Sequence, residues 1–270
     1  MPRMSSGFAK RLFSTESPKA IKASGFGYLN GIHYMAPHTF GGAGNLCPAA
    51  SKGCKALCLG LYSGQASMVA PGQRLNAVRE SRVRKARAFM RDRADYMRDL
   101  ALGIAHVVRA AQAHGLTPAI RLNGSTDIAW EGIPVTLTDA DCERIAKLTR
   151  GAIQVTACTY RNLFDAFATV QFLDYTKLEA RTRRALPRNY HLTFSRSEDN
   201  ASAVARVIAN TSINVAAVFA GTLPATWHGR TVIDGDKHDL RFLDPPNSIV
   251  GLTPKGPKAR RDRSGFVVRV

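Results

Sequence analysis

The sequence predicts an α/β protein built as a full or partial (β/α) barrel, preceded by an N-terminal Gly- and Pro-rich cluster-binding loop. Three observations carry this prediction. Beyond Gly115, short apolar segments alternate with amphipathic ones, the repeat of strand, helix and strand that calls for a parallel sheet with helices outside. Polar and charged residues gather just past the apolar segments, where the carboxyl ends of parallel strands bring side chains together. Three of the five cysteines fall in one short stretch before the alternation begins. An open doubly wound sheet is the second architecture that the pattern allows.

Residues 1–22 mix Ser, Pro and Lys without apolar periodicity and read as a flexible basic arm. Residues 23–270 read as a single barrel-like catalytic domain. Residues 25–64 hold too many glycines and prolines for a long helix or a central strand, which suits a structured loop around a metal, its cluster-binding part at 41–64. Residues 71–114 carry Ala, Arg, Leu and Met at helical spacing and end in His114 and Gly115, a helix C-terminal cap. The basic residues of this stretch, among them Arg79, Arg82, Lys85 and Arg87, read as the solvated face of a scaffold helix. Strands are expected at 118–122, 152–156, 170–173, 191–194, 213–219, 231–233 and 248–252, with helices between them such as 139–150 and 200–210.

With 270 residues and 45% of them apolar, the chain can bury one large core. Its apolar runs are far shorter than the roughly 20 residues that cross a bilayer, so a soluble, cytoplasmic protein with no membrane partner is expected. An odd number of cysteines, with Cys142 and Cys158 standing apart, is a poor disulfide framework and points to a reducing compartment and a metal. A net charge of +18 attracts phosphate-bearing partners. Nucleic acid, a phosphorylated cofactor and an anionic substrate all remain open on that ground.

Cys47, Cys54 and Cys58 are spaced C-x6-C-x3-C, and Pro48 and Gly53 let the intervening chain bend. Thiolates are soft ligands for zinc, copper(I) or iron–sulfur clusters. A structural zinc site wants four ligands in paired spacing, which the triplet lacks unless His33 or His38 completes it. A [4Fe–4S] cluster on three cysteines leaves one iron free for a substrate, a cofactor or a fourth ligand such as Cys158. The iron–sulfur reading is therefore favoured, with zinc and unliganded thiols as alternatives.

Around the expected strand ends, Asn123, Asp127 and Glu131 are pocket candidates, with Trp130 either core or a stacking wall. Asp174, Tyr175 and Lys177 follow one strand, and Ser195 and Glu198 the next. Asp234, Asp236, Lys237 and His238 form the expected acid–base group, since carboxylates beside Lys and His can be tuned apart for proton transfer. Asp127, Glu131, Asp174 and Lys177 join them as catalytic candidates. Asn123, Tyr175, Ser195 and Glu198 are expected to contact a cofactor. Residues 251–263 offer Lys255, Gly256 and Lys258 to a phosphate.

The blocks GNLCPAASKGCKALCLGLYSG, RLNGSTDIAWE, QFLDYTK, YHLTFSRSE, VIDGDKHDLRF and IVGLTPKG, in that order, resemble the phage gene product 88 family. The resemblance covers residues 25–268. It implies a phage- or prophage-encoded protein in the host cytoplasm with a three-cysteine site, and no particular reaction. A weaker resemblance is to radical S-adenosylmethionine enzymes, which hold a [4Fe–4S] cluster by three cysteines at the mouth of a full or partial barrel, typically as C-x3-C-x2-C. It implies a redox enzyme that draws on an electron donor and a second cofactor, either S-adenosylmethionine or, in an iron–sulfur flavoenzyme, FMN. A protein of another class, a zinc-stabilised nucleic-acid binder, is the remaining alternative.

Overall fold

The computed structural model describes residues 6–270. The chain opens with α1 (Ser6–Lys10), β1 (Phe13–Ser14) and α2 (Pro18–Ser24), then enters the main sheet at β2 (Tyr28–His33). The cysteine stretch follows, carrying α3 (Lys52–Ala56) and α4 (Leu59–Tyr62), and leads into the long helices α5 (Ala77–Arg91) and α6 (Arg93–Ala113). After β3 (Thr117–Arg121) comes an excursion of β4 (Val135–Thr136), α7 (Asp139–Leu148), β5 (Thr159–Tyr160) and α8 (Leu163–Ala166). Alternation resumes with β6 (Gln171–Thr176), α9 (Glu179–Thr182), β7 (Tyr190–Ser195), α10 (Ala201–Asn210) and β8 (Val215–Phe219). β9 (Thr226–Trp227), β10 (Arg230–Asp234), β11 (Ile249–Leu252), α11 (Gly256–Arg260) and β12 (Val267–Val268) complete it.

Ten strands form one mostly parallel sheet in the order β1-β2-β3-β6-β7-β8-β11-β10-β9, with β12 also on β8. From β2 through β8 along that path each parallel strand lies beside its predecessor, without the reversal of a doubly wound fold; β11 then lies between β8 and the earlier strand β10, parallel to both. Among the described residues no pairing joins the two ends of the path, so the sheet is not a closed barrel.

Two layers cover the sheet. On one face α6 buries Leu100, Ile104, Val107 and Val108. Its approach depends on Gly31 of β2, where an added Cβ would come within 2.7 Å of Val107 Cγ2. On the other face Ala119 and Leu173 pack with Ala23 of α2 and with Leu240. The helix ends follow from local chemistry. The Asn76 side chain accepts from Arg79 N to start α5, and Thr138 and Asp141 form a reciprocal capping box on α7.

Several expectations change. The expected flexible arm is packed from residue 8 onward, with Phe8, Ala9 and Leu12 buried; residues 1–5 of that arm lie outside the described residues. Residues 28–33 are a paired inner strand rather than loop, because Gly31 serves close packing and not a turn. The helical stretch divides at Asp92, whose extended backbone ends α5 and whose side chain caps α6 by accepting from Asp95 N. Gly115 does terminate α6 with φ of 63°. No strand forms at 152–156. There Ile153 N donates to Thr149 Oγ1 and Thr156 N to the Tyr160 hydroxyl, so side chains take the amides that a ladder would use.

Candidate functional site

A cleft of about 220 Å³ opens at the carboxyl ends of the parallel strands and brings the three cysteines together. Its wall is built from Cys47, Cys54 and Cys58 on one side and from residues at or just past the ends of β3, β6, β7, β8 and β11 on the other.

Each cysteine is placed by a separate local device. Cys47 Sγ accepts from the amide of His38, which sits at φ of 38°, at 3.2 Å and lies 3.6 Å from the carbonyl of Ser125. Cys54 lies in α3, whose start is held twice over: Cys54 N donates to Ser51 Oγ, and Ser51 Oγ and Gly53 N both donate to the Glu198 carboxylate, at 2.8 and 2.6 Å. Cys58 begins α4, and the next turn is pressed against the sheet end because an added Cβ on Gly60 would lie 2.7 Å from Ser125 Cβ.

The basic face of α5 fixes the cysteine stretch from behind. Arg79 donates to the carbonyls of Ala66, Arg74 and Leu61, Arg82 to that of Gly60, Arg87 to that of Gly41, and Lys85 to that of Leu12. These four residues are therefore loop clamps rather than the solvated face expected for them. Desolvation drives the electrostatics of the thiols. Burial pushes Cys47 up to about 12, with the facing charges of Cys58, Asp127 and Cys54 adding to the rise. Burial and the neighbouring Cys54 push Cys58 up to about 11 against the pull of Lys177 and Arg82. The thiols thus sit within electrostatic reach of one another, with cations near Cys58.

The cleft gathers about half of the candidates. Asn123, Asp127, Tyr175, Lys177, Ser195, Asp236 and Lys255 line it with the cysteines. Lys177 Nζ donates to Ser195 Oγ at 2.9 Å, while its amide donates to Asp127 Oδ2 at 2.8 Å. Asn123 is a hub: its Oδ1 accepts from Thr126 Oγ1, Ile128 N and Trp130 Nε1. The Tyr175 hydroxyl is buried and has no hydrogen-bond partner among the described residues. Burial pushes the Asp236 carboxyl up, but bonds from Lys255 and Thr253 outweigh that and hold it below the usual range.

The remaining candidates stand elsewhere. Glu131 is a structural anion, paired through both oxygens with Arg181, which also donates to Asp127 at 3.0 Å and to the Tyr190 hydroxyl. Asp174 lies one residue from Tyr175 on the opposite face of β6, fully buried, accepting from Asn123 N, Asn123 Nδ2 and the Tyr190 hydroxyl. Burial raises it to about 7 against those bonds and the pull of Arg181 and Arg121.

The expected acid–base group separates in the same way. Asp234 is exposed and accepts from the amide of Asp236, Lys237 is exposed, and His238 packs on Phe26 with ring centroids 4.5 Å apart. Only Asp236 of the four reaches the cleft. Glu198 holds α3, Lys258 lies 3.8 Å over the Tyr62 ring, and Gly256 with φ of 83° starts α11 against the carbonyl of Tyr62. Trp130 is core, fully buried. His33 is also buried, bonded to the Leu122 carbonyl and the Tyr96 hydroxyl away from the cleft, whereas His38 lines it. Cys142 packs against the core, and Cys158 is exposed outside the cleft wall.

Residues missed in the sequence include Arg121, Lys55, Thr253 and Phe266, all on the cleft wall. Arg121 is paired with Asp239 at 2.7 Å, and its guanidinium lies 4.7 Å over the Tyr175 ring. Its position as the last residue of β3, two before Asn123, is the signal that would have found it.

The donor set suits a soft metal centre: three thiols on one wall, backbone amides aimed at sulfur, and cations to offset thiolate charge. Among the described residues, no three His, Cys, Asp or Glu side chains stand close enough to hold a single metal ion. No helix among them is long and apolar enough to cross a membrane. Neither a curated protein nor a solved structure matches the chain. One family model does match, that of Gene product 88, over residues 9–270. The chain therefore belongs to the phage gene product 88 family.

Proposed function

We propose that this phage-family protein is an iron–sulfur redox enzyme in which Cys47, Cys54 and Cys58 hold a [4Fe–4S] cluster at the mouth of a partial (β/α) barrel. The observation that carries the reading is that all three thiols share one cleft with the ends of parallel strands laid down in chain order. Five parallel strands in that order, β2 to β8, are the layout of a barrel left open, and the cysteines follow the first of them. A tetrahedral zinc site at a Zn–S distance of about 2.3 Å would draw its sulfurs to about 3.8 Å of one another. A cluster places each thiolate on a different iron, so its ligands stand wider apart. Because burial raises the pKa values of the free thiols, a cluster would have to displace their protons on binding, which its own positive iron charge does.

When bound, such a cluster supplies electrons one at a time. The chain's own residues then bind and orient. Lys177, tied to Ser195 and Asp127, presents an ammonium group beside Cys58. Arg121, Tyr175 and Asn123 form the polar floor, and Asp236 with Lys255 closes the far side. This floor would receive a second cofactor, S-adenosylmethionine or a flavin. The shared requirement of both is a site for a charged, hydrogen-bonding tail.

The experiment is purification without oxygen followed by extraction and identification of bound small molecules. Brown protein with iron and sulfide in equal amounts is expected. Loss of added S-adenosylmethionine on reduction selects the radical reading, and co-extracted FMN selects the flavoenzyme. Colourless protein carrying zinc would replace both with the zinc-stabilised binder.

A further inference from the structure

We infer that the basic rim of the cysteine cleft is a docking surface for single-stranded nucleic acid, which places a nucleotide of such a strand in the cleft as the substrate. The inference deepens the proposed function by naming the substrate class and rests on that reading only for the word substrate. The binding surface stands without it.

The rim is made where α3, α4 and α11 meet. Gly53 of α3 comes so near the 262–265 turn and Glu198 that an added Cβ would lie 2.8 Å from Glu198 Oε2, and Gly256 of α11 sits on the carbonyl of Tyr62 in α4. These elements carry Lys52, Lys55, Lys258, Arg260, Arg261 and Arg263, all exposed. Among the described residues none of the six is in an ion pair, although Arg183, Arg206 and Arg161 elsewhere are. The acidic groups of the rim are tied to the fold, and of them only Asp236 is in an ion pair. Glu198 accepts from Ser51 and Gly53, Asp262 from Ser264 and Val267, and Asp236 from Lys255 and Thr253. Six exposed cations therefore stand on elements that flank one opening, with Lys55 on its wall, against two carboxylates, Glu198 and Asp262, and this cationic excess attracts an anionic polymer.

The lining favours nucleic acid over an acidic peptide or a lipid surface. Phe266, Leu57, Val218 and Leu252 supply apolar walls, and Lys177 lies 5.7 Å over the Phe266 ring. Phosphates on the cations with a base between apolar walls is the arrangement by which proteins hold single strands. The cleft is recessed, so a base of an intact duplex reaches it only by leaving the stack, which a single strand does at less cost.

The test uses the full chain purified without oxygen and a fluorescein-labelled 20-nucleotide RNA of mixed sequence, read by anisotropy. With about four phosphates engaged, the slope of log K against log salt should be near −3, so affinity falls about 60-fold from 50 to 200 mM salt. The triple variant Lys258→Glu, Arg261→Glu, Arg263→Glu should bind at least 10-fold more weakly with a shallower slope, while iron and visible absorbance stay unchanged. The control triple Lys10→Glu, Arg109→Glu, Arg144→Glu, grouped around His106 of α6 and away from the cleft wall, should bind as the parent does. Absence of binding at 50 mM salt, or equal loss in both triples, overturns the inference. So does rim-dependent binding to phosphatidylserine vesicles without RNA binding. If iron is absent but rim-dependent RNA binding holds, the enzyme reading fails and the surface stands.

Discussion

Arg181 ties together three residues that support the site from behind the cleft wall. One guanidinium meets Asp127, both oxygens of Glu131 and the Tyr190 hydroxyl, and it is 2% exposed. Replacing it by Met leaves two largely buried carboxylates without a counter-charge, Asp127 keeping only the Lys177 amide, so Arg181→Met should cost about 3–5 kcal/mol in urea denaturation at pH 7. A loss under 1 kcal/mol would show that those carboxylates reach water. The opposite sign is expected on the sheet face beneath the cleft. The Tyr175 hydroxyl and Thr193 Oγ1 are buried without a partner among the described residues, so Tyr175→Phe and Thr193→Val remove a desolvated group and no bond. Each should leave stability unchanged or raise it by up to about 1 kcal/mol, read as a shift in urea midpoint. A clear drop would mean that these atoms are bonded in solution. Part of this residue-level picture was readable in advance. Alternation along β6 alone sets Asp174 opposite Tyr175 and Lys177, and the chemistry of thiols singled out the cysteines. The Glu131–Arg181 pair was not readable, because its partners stand 50 positions apart and no local pattern links them.

At the scale of elements, two close approaches decide how the cysteine stretch is held. β2 packs on α6 through Gly31, and the loop after it is fastened by carbonyl bonds from α5. Gly31→Ala forces a methyl into Val107 and should cost about 1–3 kcal/mol, with much of that loss recovered in the double variant carrying Val107→Ala. Failure of the second change to help would show that the backbone of β2, not Val107, is what resists. Later strands were legible to within a few residues because their apolar runs are bounded by turn residues. β2 was hidden by its glycines, which in sequence look like breakers and in the fold are contact points. The clamps were hidden for a related reason. Helical spacing shows that Arg79, Arg82 and Lys85 fall near one side of α5, but not that loop carbonyls lie opposite.

For the whole molecule, burial of imidazoles sets the response to acid. Burial holds His33 down to about 3, and burial with Arg241 holds His191 down to about 4, so both stay neutral where an unfolded chain would protonate them near 6.5. The unfolded state then binds more protons, and stability should fall as pH drops from 6.5 toward 4. Asp174 acts the other way, since it is raised to about 7 and takes up its proton in the folded state first. Asp174→Asn should therefore make the fall steeper, measured as urea midpoints at pH 7, 6 and 5. A shallower fall in the variant would contradict the sign. The mixed α/β class and the gathering of polar residues at strand ends were visible in the sequence, since alternation encodes both. The open path, with β11 set between β8 and β10, was not, because strand pairing depends on contacts far apart in the chain. The central claim is that Cys47, Cys54 and Cys58 hold one cluster on this sheet end. Its most direct measurement is iron, sulfide and visible absorbance in the protein purified without oxygen, beside Cys54→Ala and, as control, Cys142→Ala. The account predicts a brown parent and a brown Cys142→Ala protein, with iron and colour lost from Cys54→Ala. Full colour in Cys54→Ala, or a colourless parent, would contradict it.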